Sequence, residues 1–106
     1  MKWDEFLINL ADEAGTLAKT ELIDLVKTSI ADGDEFISKQ GTKMRRYLQQ
    51  LADGKITKSE FELYMEDLKN LLELEALRLA VAAKARAQRI ADGIQSLVLD
   101  SLLKLI

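Results

Sequence analysis

The sequence predicts an all-α protein built on one long antiparallel helical hairpin, and three observations carry that expectation. The 106 residues include no proline and only 6% aromatics, a composition that permits long helices and disfavours an aromatic-rich, turn-dense β-sandwich. Apolar residues recur at steps of three and four along both halves of the chain. Between the halves stands a short segment in which a helix stop is followed at once by a helix start. With 48% hydrophobic and 31% charged residues the chain belongs to the folded class, and its length is that of one domain, residues 1–106.

The first arm spans residues 3–52. Its apolar series runs Trp3, Leu7, Leu10, Ala14, Ala18, Leu22, Leu25 and resumes at Phe36, Met44, Tyr47 and Leu51, with Ser29, Gly33 and Gln40 as polar or small members. Asp32-Gly33-Asp34 is turn-like, and Asp34 can cap a fresh helix, so the arm reads equally well as one kinked helix or as two stacked end to end.

Residues 53–56 form the turn. Gly54 can close the first arm in the left-handed conformation at no steric cost. Thr57 and Glu60 have the S/T-x-x-E spacing of a capping box, and Ile56 and Phe61 fall at the two positions of a hydrophobic staple.

The run Asp53-Gly54-Lys55-Ile56-Thr57 followed by Glu60-Phe61 resembles the second half of an EF-hand loop. Gln49 and Leu51 stand where that loop needs its first and third oxygen ligands, and leucine offers none, so calcium is not expected. Residues 48–68 are also similar to the SHOCT family of short bacterial helical modules, through the Gly54, Ile56, Thr57, Glu60 and Phe61 pattern. That resemblance implies a helical segment that assists oligomerisation.

The second arm spans residues 57–104, with apolar positions Phe61, Met65, Leu68, Leu72, Ala76, Leu79, Ala83, Ala87, Ile90, Ile94 and Leu97 at helical spacing. As one helix it would be roughly 70 Å long. Charge supports an antiparallel arrangement. Residues 1–35 carry nine acids and three bases, 36–59 one acid and six bases, 60–75 six acids and one base, and 76–106 two acids and five bases. Folding back at Gly54 lays each block beside one of opposite sign, which fixes orientation more than it stabilises, since exposed pairs contribute only about 0–1 kcal/mol. The same fold-back places Tyr47 near Tyr64, Met44 near Met65, Leu48 near Phe61, and Gly15 level with Gly93.

On the second arm Leu63, Leu74, Leu77, Val81 and Leu99 project away from the main stripe. Two helices in one layer cannot enclose a core, so this second apolar face calls for association. A symmetric homodimer of hairpins, closing a four-helix bundle with the alanine-rich stretch 76–91 at its close approach, is the expected remedy; a different protein partner and a more compact monomer are the alternatives.

Cysteine and histidine are both absent, which removes thiolate nucleophiles, disulfides and the usual zinc and haem ligands. No catalytic, cofactor-binding or metal-binding residue is expected. The acidic positions Glu62, Glu66, Asp67, Glu73 and Glu75 lack the histidines of a di-iron bundle and read as a solvated face. Lys43, Arg45 and Arg46, and Arg78, Lys84, Arg86 and Arg89, each have an acidic neighbour across the expected hairpin, so nucleic acid is not an expected partner. The N-terminus is acidic from Asp4 and unlike a signal or transit peptide, which makes the cytoplasm the expected compartment. The apolar run 94–106 is expected to pack on Trp3, Phe6, Leu7 and Leu10. The functional expectation is a non-enzymatic structural or interaction module that self-associates. The alternative is a membrane-associated amphipathic protein whose second face and C-terminal run meet lipid.

Overall fold

The computed structural model describes residues 1–10 and 16–106. Among them the elements are all helical: α1 (Trp3–Ile8), α2 (Thr16–Ile30), α3 (Glu35–Ala52), α4 (Lys58–Ala76), α5 (Val81–Gly93), a π-helical continuation (Ile94–Leu102) and a final turn, α6 (Leu103–Leu105). Ala14 and Gly15, with the expected Gly15–Gly93 level, lie outside the described residues.

Among the described residues the first arm holds three helices, α1, α2 and α3, and the break near Gly33 separates α2 from α3. Asp34, with extended backbone, caps α3 by accepting from the Ile37 amide at 3.0 Å, while Asp32 accepts from the Asp34 amide at 2.8 Å, so the two aspartates turn the chain between them.

The α3–α4 turn follows its expected chemistry. Gly54 adopts φ 70°, its amide donates to Leu51 O and the Lys55 amide donates to Gln50 O, the paired bonds of a Schellman stop. Thr57 Oγ1 then accepts from the Glu60 amide at 3.1 Å while Glu60 Oε1 accepts from the Thr57 amide at 2.9 Å, closing the capping box. Phe61 is fully buried, and Ile56 packs against the core. The Tyr47 and Tyr64 rings meet across this hairpin with centroids 5.1 Å apart.

The second arm departs from expectation. It breaks at residues 77–80, where the Arg78 and Leu79 amides reach back to Glu75 O and Ala76 O, and Ala80 turns extended (ψ 155°) before α5. The two continuous rods are thus replaced by four antiparallel segments. In this arrangement α2 packs on α3, α3 on α4, α4 on α5 and the π-helical segment, and these last two on α2, closing a ring within one chain. The molecule measures 40 × 25 × 21 Å, far short of a 70 Å rod.

The core draws on every element of that ring. Leu22 and Val26 of α2, Ile37, Met44 and Leu48 of α3, and Phe61, Met65, Leu68 and Leu72 of α4 face Ala87, Ile90, Ile94, Val98 and Leu102, while Trp3 and Leu7 of α1 cover its side. Full burial of such a side chain stabilises by about 1.5–3 kcal/mol relative to exposure. Ala76, Ala83, Ala87 and Ala91 are consumed in this core, so the alanine-rich stretch serves packing within the chain rather than an approach between two copies. The C-terminal run is likewise buried, with α2 and α4 as its main neighbours in place of the expected α1.

The wider π winding suits residues 94–102. It brings Ile94, Val98 and Leu102, each four apart, into one buried line. On the outer side the five-residue spacing is matched by Gln95 Nε2 donating to Asp100 Oδ1 at 2.9 Å and Ser101 Oγ donating to Ser96 O at 2.7 Å.

Candidate interaction surface

The break at 77–80 leaves three large apolar side chains exposed on either side of it. Leu74 and Leu77 end α4 and Val81 begins α5, so the three flank a single corner, and they are 60%, 72% and 86% exposed. Leu63, 55% exposed, lies three helical turns back on the same stripe of α4, roughly 16 Å away, with Asp67 and Asn70 between. Leu99 does not join them. It is half-buried against the core, beside a crevice shared with Glu62, Glu66, Lys69 and Asn70.

Polar pairs lie along α4 and α5 on either side of the corner. Arg78 lies 3.8 Å from Glu75, Lys69 pairs with Glu73 at 3.6 Å, and on α5 the Gln88 amide donates to Asp92 at 3.0 Å. Ala82 and Ala85 are exposed on α5 and leave its outer surface low enough for close approach. An apolar centre with polar pairs to either side has the anatomy of a protein-binding patch. Met1 ahead of α1, Ile8 of α1 and Leu17 of α2 are also exposed, and periodicity did not single them out.

Among the described residues one ion pair realises the charge pairing expected across the hairpin. Arg86 of α5 reaches Asp32 in the α2–α3 turn, with Nε–Oδ2 at 2.9 Å and Nη2–Oδ1 at 3.2 Å, a two-pronged bond joining the first charge block to the last. Among the described residues no ion pair links the basic block 36–59 to the acidic block 60–75.

Asp32 is well covered, with its side chain 8% exposed. The Arg86 guanidinium beside it holds its carboxyl below the usual carboxylate range; burial opposes that shift, and the Asp34 amide reinforces it. A carboxyl with a depressed folded-state pKa stabilises the fold above its unfolded value of 3.8, and this contribution disappears as pH falls through the folded value. Wild-type protein should therefore lose more melting temperature between pH 6 and pH 3 than the Arg86→Met variant does. Parallel losses in the two proteins would remove this pair from the account of acid stability.

Gly41 and Gln49 carry structure that sequence reasoning passed over. Gly41 is buried where α3 crosses the end of α2, and the isolated glycine inside a helical pattern was its one visible signal. Gln49 ties α1 to α3: its Oε1 accepts from the Trp3 amide at 3.2 Å and its Nε2 donates to Met1 O at 2.7 Å.

Among the described residues no helix is long and apolar enough to cross a membrane, and no three acidic side chains gather as a metal site would require. Comparison of the chain with protein-family models, with curated proteins and with solved structures finds no match.

Proposed function

We propose that this protein is a non-enzymatic interaction module that self-associates through the α4–α5 corner. The single observation that carries the reading is the exposure of Leu74, Leu77 and Val81 on a chain that otherwise closes its own core. A buried turn would satisfy its apolar side chains internally; this one holds them in water, which costs about 1.5–3 kcal/mol for each until a partner covers them.

A second copy is the occupant that fits. A two-fold axis through the corner would set Leu77 and Val81 of one chain against Val81 and Leu77 of the other, with Leu74 extending the contact and the flanking polar pairs meeting water. The bundle is complete without exchange of helices, so the assembly is two closed bundles side by side rather than two open hairpins completing each other. The likeness of residues 48–68 to an assembly-promoting helical module supports the same direction. Against the lipid-binding alternative stands the burial of Ile94, Val98 and Leu102, the apolar run that such a role would need at the surface. In liposome flotation the protein should stay with the soluble fraction.

Light scattering should give twice the 11.9 kDa chain mass. Replacing Leu77 and Val81 together by Asp should weaken association at least about 100-fold, because both apolar contacts are lost and charge enters the contact. The far-ultraviolet circular dichroism of the variant should match wild type, since neither side chain belongs to the core. A monomeric wild-type mass would remove the proposed interface.

A further inference from the structure

Where the start of α1 lies along the last turns of α3, a cleft of about 690 Å³ opens to solvent, within the size range of small-molecule sites. Four of the side chains lining it are cations, Lys2, Arg45, Arg46 and Lys55, drawn from three separate stretches of a chain whose net charge is −3. Two carboxylates also line it, and both are engaged. Asp53 Oδ1 accepts from Gln49 Nε2 at 3.0 Å and lies 3.4 Å from the Met1 ammonium, while Asp4 Oδ1 accepts from the Glu5 amide at 2.9 Å. Among the described residues none of the four cations has a carboxylate within ion-pair distance.

Unpaired positive charge gathered in one concavity is the reverse of the pairing expected for Arg45 and Arg46, and it sets the chemistry of what the cleft can hold. We propose that the α1–α3 cleft binds an organic diphosphate, its phosphate groups held between Arg45, Arg46, Lys2 and Lys55.

With Asp4, Asp53 and the Met1 ammonium counted beside the four cations, the cleft carries three net positive charges, which two phosphate groups match better than one. Two guanidinium forks one position apart on α3 suit phosphate oxygens, which accept paired N–H bonds. The walls are set before the ligand arrives, because Gln49 pins the Trp3 amide and the Met1 carbonyl to α3 and Trp3 itself is buried. No exposed aromatic ring lines the cleft for a base to stack on, so the diphosphate is recognised rather than the group it carries. A long polyanion fits less well, because Asp4 lines the site and Glu5 follows it on α1, and both would repel a continuing phosphate backbone.

Trp3 is the sole tryptophan and borders the cleft, so its fluorescence reports occupancy. Inorganic pyrophosphate titrated into the full chain should give a saturable change with one site per chain by calorimetry, and should bind at least about tenfold more tightly than inorganic phosphate. Arg45→Gln combined with Arg46→Gln should weaken pyrophosphate at least about tenfold, because each charge-assisted bond is individually strong. Lys84→Gln, on the exposed side of α5, should leave it unchanged, with circular dichroism confirming that both variants are folded. No saturable response at about 1 mM pyrophosphate, or equal weakening by Lys84→Gln, would overturn the assignment. So would a single-stranded oligonucleotide that displaces pyrophosphate through the same arginines, which would make the cleft part of a nucleic-acid track.

Discussion

Phe61→Ala should remove about 3–5 kcal/mol from a fold whose total stability is of the order of 5–15 kcal/mol. The ring is fully buried at the fourth position of α4, where it joins the capped start of that helix to the centre of the ring of helices. Truncation to a methyl group leaves a cavity at a site the backbone cannot easily collapse upon, since the Schellman stop before it and the capping box around it hold the chain in place. Urea denaturation should show the midpoint falling with the slope preserved. A loss below about 1 kcal/mol would mean that the ring is not packed where the core requires it.

Gly41→Ala should destabilise the fold, although alanine is the better helix former by about 1 kcal/mol. A Cβ at this position would stand 2.5 Å from the Ile30 amide nitrogen, 2.7 Å from the Ser29 carbonyl carbon and 2.8 Å from Ser29 Cβ. Two of these three are backbone atoms, so relief requires α2 and α3 to part rather than a side chain to rotate. Parting them would also strain the Ser38 Oγ bond to Ile30 O, 2.7 Å long, that crosses the same junction. Overpacking of this kind costs about 1–3 kcal/mol or more, and the net loss should lower the melting temperature by several degrees. Gly33→Ala is the matched control, because a Cβ there meets nothing within 4 Å and should leave the melting temperature nearly unchanged. An unaltered melting temperature for Gly41→Ala would contradict the close crossing.

What could be read from the chain was local. Asp34 and the Thr57–Glu60 box show themselves through side chains that satisfy backbone amides a few residues away, and Gly54 through a conformation other residues avoid. None of these depends on a distant partner. The exposure of Leu63, Leu74, Leu77 and Val81 was legible too, because helical periodicity separates two sides of α4 regardless of what packs on either. The position of Leu99 was not, since the π winding beyond Gly93 rotates it away from the phase an α-helix would give and toward the core. The basic cleft escaped notice because Lys2, Arg45, Arg46 and Lys55 come together only once α1 lies down on α3.

The break at 77–80 marks the boundary between what the chain alone dictates and what the packed molecule decides. From Glu75 to Ala82 the residues Glu, Ala, Leu, Arg, Leu, Ala, Val and Ala include no glycine, proline, asparagine or serine, and local propensity favours an unbroken helix throughout. The sequence by itself therefore determined the helical class, the α3–α4 connection and the capped start of α3. Tertiary structure alone decided that the second arm doubles back. A straight rod would leave Ala87, Ile90, Ile94 and Val98 in water unless a second chain covered them, whereas turning at the corner buries them against α2 and α4 at once. The Arg78 and Leu79 amides keep partners in the last turn of α4, at Glu75 O and Ala76 O, which limits the cost of the break. The same turn leaves Leu77 and Val81 at the surface: the fold closes its core within one chain and displays a small apolar corner.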